Sequence, residues 1–125
     1  MDDKAFDLED RLVGFAVRAI GVVEALPETK AGRHIAGQLV RSGTSPAPNY
    51  GEAQAAESRK DFIHKMKVCL KELRESMIWL KIVHRKPLCA PGRLESIMNE
   101  CDELVSIFVS SIKTAQQNQT GEAAN

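Results

Sequence analysis

The feature that most constrains the fold is an apolar seam in residues 58–86, where apolar side chains recur at alternating steps of four and three. This spacing is typical of a long amphipathic helix that packs against partner helices. Ser58 is the predicted N-cap, with Asp61 three residues later. A second apolar line, spaced by seven, predicts contact with more than one neighbour. The seam comprises Phe62, Met66, Cys69, Leu73, Ser76, Leu80 and Val83, and the second line comprises Ile63, Leu70 and Met77.

Two further segments predict helices at either end of the chain. The first, about residues 8–26, is expected to begin at an Asp7 N-cap and to end before Pro27, because a proline pushes the preceding residue out of helical geometry. The last follows a Pro- and Gly-rich turn at residues 86–92 and is expected to run to about Ala115.

The segment between these helices predicts a bent helix. It begins near Thr29, a good N-cap, and meets a run of helix-breaking residues at 43–48. Ser45 followed by Pro46 fits a fresh start, with the serine as N-cap and the proline in the first turn, where its missing N–H is tolerated. We therefore predict two helical pieces with a bend between them.

Four helices joined by short turns predict an all-α, antiparallel up-down four-helix bundle with a bent second helix. We place the bundle at residues 1–117 and a disordered polar tail at 118–125. No apolar run approaches the ~20 residues that span a bilayer, and the acidic start does not resemble a secretory signal. We expect a cytoplasmic protein without a membrane partner.

Catalytic and metal-binding patterns are weak in this sequence. Three cysteines show no Cys-x-x-Cys spacing, and two of them, Cys69 and Cys101, fall on apolar helix faces, which predicts buried structural thiols. The sequence has no Glu-x-x-His motif for a di-iron bundle and no phosphate-binding glycine loop. We expect no enzymatic activity, no metal or other cofactor, and no small-molecule substrate.

One polar cluster has a distinctive spacing at the bend of the second helix. Two interpretations remain open: a hydrogen-bond network that fixes the bend, or a site for a ligand or partner. In contrast, Glu72 and Glu75 lie off the apolar seam and are expected to form surface ion pairs. The cluster comprises Arg41, Ser45, Asn49, Tyr50 and Glu52.

Charge is unevenly distributed along a chain whose formal net charge is zero. Residues 58–86 hold nine Lys and Arg against three acidic residues, whereas residues 1–28 hold three basic and seven acidic residues. Charge balance within or between subunits is one explanation, and a surface for nucleic acid or another acidic partner is the other. The candidate basic face comprises Arg59, Lys60, Lys65, Lys67, Lys71 and Arg74.

The central block resembles a known bacterial family. It carries an Arg-Ser-x-x-Ser-x-x-x-Asn-Tyr-x-Glu-Ala pattern from Arg41 to Ala53, then Lys60-x-Phe62-Ile63, then Leu70, Glu72, Glu75 and Leu80. This pattern is similar to that of the four-helix-bundle proteins encoded in intervening sequences of large-subunit ribosomal RNA genes. Many of those proteins have Ile-Pro-Ala or Ile-Gly-Ala before the asparagine, where this chain has Pro46-Ala47-Pro48.

The resemblance implies a four-helix bundle that assembles into a ring-like homopentamer. Related accessory proteins of diversity-generating retroelements bind a reverse transcriptase and nucleic acid, and they are more basic than this chain. Our leading hypothesis is therefore a non-enzymatic homo-oligomeric scaffold or adaptor that binds another macromolecule. The alternative is a nucleic-acid-binding accessory protein that uses the basic face of the third helix, so the possible partners are a second copy, RNA, DNA or another protein.

Overall fold

The computed structural model describes residues 3–124, with side chains from Asp7 to Gln119. All regular structure in this range is helical, which confirms the predicted all-α four-helix bundle, and the bent second helix is formed by two segments in succession. The segments are α1 (Asp3–Ala25), α2 (Lys30–Thr44), α3 (Pro46–Gln54), α4 (Arg59–Arg85) and α5 (Gly92–Ala124).

Two of the three predicted N-caps of the long helices are confirmed. The side chains of Thr29 and Ser58 each accept a hydrogen bond from a backbone N–H three residues ahead, at 3.0 Å, so α2 and α4 start where their capping residues predict. The prediction for Asp7 is wrong because this residue lies inside α1, which already includes Asp3. The sequence before Asp7 contains no proline or glycine that would delay the helix.

The bend between α2 and α3 keeps a helical backbone. Ser45 has φ −67° and ψ −39°, and its N–H donates to the Arg41 carbonyl at 3.1 Å. The new start at Pro46 is confirmed, but Ser45 does not cap it with its side chain. Because Pro46 and Pro48 have no N–H, two backbone bonds of a continuous helix cannot form, and the helix is interrupted without a loop.

The bundle has four helical sides, because α2 and α3 together form one of them, and all four pack around one apolar core. The bent α2–α3 helix and α5 each lie between α1 and α4, so α1 and α4 occupy diagonally opposite corners. The predicted seam of α4 faces this core: only Phe62 is half-buried and its other six residues are buried. The largest fully buried side chains include Phe15, Leu39, Leu73 and Phe108.

The last helix is longer than its apolar pattern. α5 continues through residues 118–124, where we expected a disordered polar tail, and Asn125 lies outside the described residues. Once a helix is established, each further residue adds a hydrogen bond without a new nucleation cost, so a polar segment can extend it. Over the described part of the chain, no helix combines the length and the apolar character needed to cross a membrane.

Candidate functional site

Arg41, the first member of the predicted polar cluster, connects two helices. From the last turn of α2 its guanidinium donates to the Glu72 carboxylate on α4, with Nη1 3.0 Å from Oε2, and also to Glu75 one turn later. The prediction that both glutamates form surface pairs is wrong for Glu72, which is buried. Its position on α4 points it towards α2, rather than outward with Lys71 and Arg74.

The other members of the cluster make separate contacts. Asn49 Nδ2 donates to the carbonyl and hydroxyl oxygens of Ser45, at 3.0 and 2.9 Å, and stays within the bend. Tyr50 packs its ring edge-on against Phe108 in the core and accepts a hydrogen bond from Gln54 at 2.5 Å. Glu52 is exposed and pairs with Lys65 at 3.5 Å. The five side chains therefore do not converge on one ligand site.

A pair of buried serines lies beside Arg41 and was not identified as a pair from the sequence. Ser76 Oγ donates to Ser42 Oγ at 2.8 Å, and both residues are fully buried between α2 and α4. Next to them, a Cβ added to Gly43 would come within 2.6 Å of the Ala19 Cβ. Small residues thus allow α2 to approach α1 and α4 closely. In the sequence, the feature that indicates this pair is Ser76, a serine inside the otherwise apolar seam of α4.

The predicted basic face is only partly a single surface. Lys60, Lys67, Lys71 and Arg74 are exposed on the side of α4 that faces away from the core. Lys65 instead lies towards α3, where it pairs with Glu52, and Arg59 is half-buried. The outward surface continues along α4 with further exposed residues that lie outside the predicted basic face: Ile78, Lys81, Ile82 and Arg85.

A second exposed surface lies on α1. Val13, Val17 and Ile20 project from the side opposite the core, and Val17, at 62%, is the most exposed large apolar residue among the side chains described. Their spacing of four and three residues brings them onto one helix face. This spacing was visible in the sequence, but the stronger core stripe of α1 dominated the pattern.

Arg11 bridges two glutamates as Arg41 does, and we call each of these arrangements a clamp; the Arg11 clamp joins α1 to α5. Arg11 donates to both carboxylate oxygens of Glu100, at 2.6 and 3.1 Å, and to Glu103 at 3.2 Å. The hydrogen bond from Arg11 holds the pKa of the Glu100 carboxyl below its usual value, and the same bond raises the pKa of Arg11. Beside the clamp lies a cavity of about 610 Å³ between α1, α3, α4 and α5, lined in part by Leu8, Tyr50 and Ser111.

The cysteines occupy apolar surroundings. Cys69 and Cys101 are buried, as predicted, and burial raises the pKa of each thiol to about 12. Their thiols donate to the backbone carbonyls of Pro46 and Leu73. A thiol that stays protonated is a poor nucleophile and a poor metal ligand. Among the described residues, no three His, Cys, Asp or Glu side chains come together as a metal site.

The chain is similar to known proteins in both sequence and fold. A family model described as 23S rRNA-intervening sequence protein matches residues 6–110. The fold is also similar to the crystal structure of a protein of unknown function from the S23 ribosomal protein family of Bacteroides thetaiotaomicron. The two chains are 35% identical, with a TM-score of 0.79, and the match covers 85% of this chain and 98% of the other. The sequence matches no curated protein.

Proposed function

The chain belongs to the family of 23S rRNA-intervening sequence proteins, and we propose that it is a homo-oligomeric scaffold, without catalytic activity, whose assembled surface binds another macromolecule. The observation that carries this proposal is the exposed apolar face of α1, formed by Val13, Val17 and Ile20. Single exposed apolar side chains are normal on a monomer, but a contiguous set on one helix face is typical of an interface.

The packing of the bundle supports the same proposal. Other residues of α1 face the core and fill their side of it, so the exposed apolar face of α1 has no partner within the described chain. The family resemblance implies a ring-like homopentamer, and a ring needs each subunit to contact two neighbours. The exposed apolar residues of α1 and α4 lie at opposite corners of the bundle, which is compatible with two contacts per subunit.

Light scattering of the purified protein at micromolar concentration tests the proposal. We expect a mass several times the 13.8 kDa of one chain, and a lower mass for Val17→Asp. Val109→Asp is the matched control, because Val109 is a single exposed valine on α5, 40% exposed, and the change is the same. Valine and aspartate have similar helix propensities, so neither variant should unfold its helix. A wild-type protein that is strictly monomeric would contradict the proposal.

A specific observation favours nucleic-acid binding as the second candidate function. The outward side of α4 presents Lys60, Lys67, Lys71 and Arg74, none of which forms an ion pair with the side chains described. Cations arranged along one face are the groups that contact phosphates. The resemblance implies nucleic-acid-binding relatives that are more basic than this chain, so this function ranks second.

Retention of RNA and DNA at rising salt concentrations tests this alternative. Binding to phosphates should weaken steeply with salt, and Lys67→Ala combined with Lys71→Ala should reduce the number of phosphate contacts and flatten that dependence. Lys65→Ala is the matched control, because this lysine faces α3 and pairs with Glu52. If neither RNA nor DNA is retained at low salt, nucleic-acid binding is ruled out.

A further inference from the structure

We propose that the α1 face of one copy docks on the outward side of α4 of the next copy, so that the subunit contact joins two different surfaces. This inference rests on the proposed homo-oligomeric function and names the surfaces that carry it. The α1 strip is defined as Val13, Val17 and Ile20 with their acidic neighbours. The α4 strip is defined as Ile78 and Ile82 with their basic neighbours.

The two strips share a layout and have opposite charge. On α1 the exposed acidic residues Glu9 and Asp10 precede the apolar centre, and Glu24 follows it. On α4 the apolar centre lies at Ile78, which is 54% exposed, and at Ile82. The exposed cations around that centre are Lys71, Arg74, Lys81 and Arg85. An acidic–apolar–acidic strip therefore faces a basic–apolar–basic one.

This layout disfavours contact between identical strips. Two α1 strips would bring carboxylates together at both ends, and two α4 strips would bring cations together, which costs free energy as the contact loses water. The unlike pair places opposite charges at both ends of an apolar contact. The apolar centre of α1 is long enough to cover that of α4: Val13 to Ile20 spans about 10 Å of helix and Ile78 to Ile82 about 6 Å, at ~1.5 Å per residue.

The position of the strips allows both to be used at once. α1 and α4 lie at diagonally opposite corners of the bundle, and each strip is on the side of its helix away from the core. One copy can therefore contact a neighbour on each side. Contacts between unlike surfaces produce a ring when the rotation between copies closes. In such a ring the α4 cations are covered by the neighbour, which would leave fewer of them for a nucleic acid.

Mixing two blocked variants tests this pairing. Val17→Asp blocks the α1 strip and leaves α4 intact, whereas Ile78→Asp blocks the α4 strip and leaves α1 intact. An aspartate carboxylate in the apolar centre would lose its water when the contact forms, which costs free energy. We expect each variant alone to be monomeric by light scattering, and the equimolar mixture to form a 1:1 dimer of twice the 13.8 kDa chain mass. The mixture stops at that size because the remaining free strips both carry an aspartate.

The outcomes separate this inference from the proposed function. An oligomeric wild type whose mass is unchanged by Ile78→Asp, or a mixture that stays monomeric, overturns the pairing alone. A monomeric wild type overturns the proposed function itself.

Circular dichroism of each variant verifies folding, and Val109→Asp controls for surface charge. Val17→Ala and Ile78→Ala, which favour the helix, should each still raise the dissociation constant about tenfold; unchanged dissociation constants would also overturn the pairing.

Discussion

The interfaces α2–α4 and α1–α5 contain the same clamp, one arginine that bridges two glutamates three residues apart, but the two glutamates are less exposed in the α2–α4 clamp. In the α2–α4 clamp the Glu72 side chain is 11% exposed and Arg41 is 50% exposed. In the α1–α5 clamp Arg11 is 29% exposed, the inner carboxylate of Glu100 is 17% exposed and the outer carboxylate of Glu103 is 69% exposed. The same ion-pair pattern therefore depends on its surroundings: losing Arg41 strands the more deeply buried carboxylate of Glu72, whereas losing Arg11 leaves Glu100 beside the exposed Glu103, where water reaches more readily.

The packing around the two clamps differs in the same direction. Beside Arg41, the fully buried Ser42 and Ser76 hydroxyls contact each other at 2.8 Å, and a Cβ added to the adjacent Gly43 would lie only 2.6 Å from the Ala19 Cβ. Beside Arg11, a cavity of about 610 Å³ opens between the helices. The α2–α4 interface is therefore close-packed and the α1–α5 interface is not, which makes the two interfaces respond differently to identical changes.

The largest expected effect is that of a serine-to-leucine change placed in each interface. Ser42→Leu should destabilise the protein by about 3 kcal/mol, because it overpacks a filled site and leaves Ser76 without its buried partner. Ser111→Leu, on the wall of the cavity, should be neutral or stabilising by about 1 kcal/mol, because the new side chain buries apolar surface. Urea unfolding at a fixed protein concentration measures both changes. Equal destabilisation by the two variants would refute the contrast in packing.

Arg41→Met should have the next largest effect, a loss of about 2 kcal/mol, because it leaves the buried Glu72 carboxylate without its cation. Methionine keeps much of the aliphatic stem in place. Combining it with Glu72→Gln removes the stranded charge, and we expect the double variant to recover about half of the loss. The readout is again the urea midpoint. If Glu72→Gln gives no recovery, the cost does not come from the stranded carboxylate.

Sequence reasoning was most successful where one periodic pattern decides the structure. The seam of α4, the caps at Thr29 and Ser58, and the new helix start at Pro46 were all predicted, because spacing and local chemistry determine them. It failed where the neighbour of a side chain comes from another helix. Glu72 has charged neighbours on its own helix, and only the rotation of α4 against α2 shows that Arg41 is its partner.

The same limit applies to the candidate surfaces. Helical spacing separates the outward cations of α4 from Lys65, but the tertiary partner of Lys65, Glu52, is on α3 and cannot be read from the pattern of one helix. The clamp at Arg11 joins residues 89 positions apart, and no local motif marks it. The exposed apolar residues of α1 have a visible spacing, yet that spacing alone does not show that they stay exposed once the bundle has formed.

Arg11→Met should destabilise the protein by about 1 kcal/mol, half the effect expected for Arg41→Met, because water can replace part of the lost interaction. Urea unfolding of the two arginine variants side by side gives this ratio. Lys113→Met is the control, since this exposed lysine on α5 forms no ion pair with the described side chains, and its change should be close to zero. A larger loss of stability for Arg11→Met than for Arg41→Met would show that the α1–α5 clamp contributes more to the free energy of unfolding than the α2–α4 clamp.

The smallest expected effect is the pH dependence of the Arg11 clamp. The folded-state pKa of Glu100 is lowered, chiefly by the hydrogen bond from Arg11, so the folded protein holds this carboxyl ionised at a pH where the unfolded chain has begun to protonate it. The stability that this shift contributes is present above the ordinary glutamate pKa of about 4.3 and is lost as the pH falls through the lowered folded-state value. The stability difference between wild type and Arg11→Met should therefore shrink between pH 7 and pH 3, by less than about 1 kcal/mol, whereas that of Lys113→Met should not change. Urea midpoints at the two pH values measure it, and a difference for Arg11→Met that is the same at both would show that ionisation of Glu100 is not coupled to the clamp.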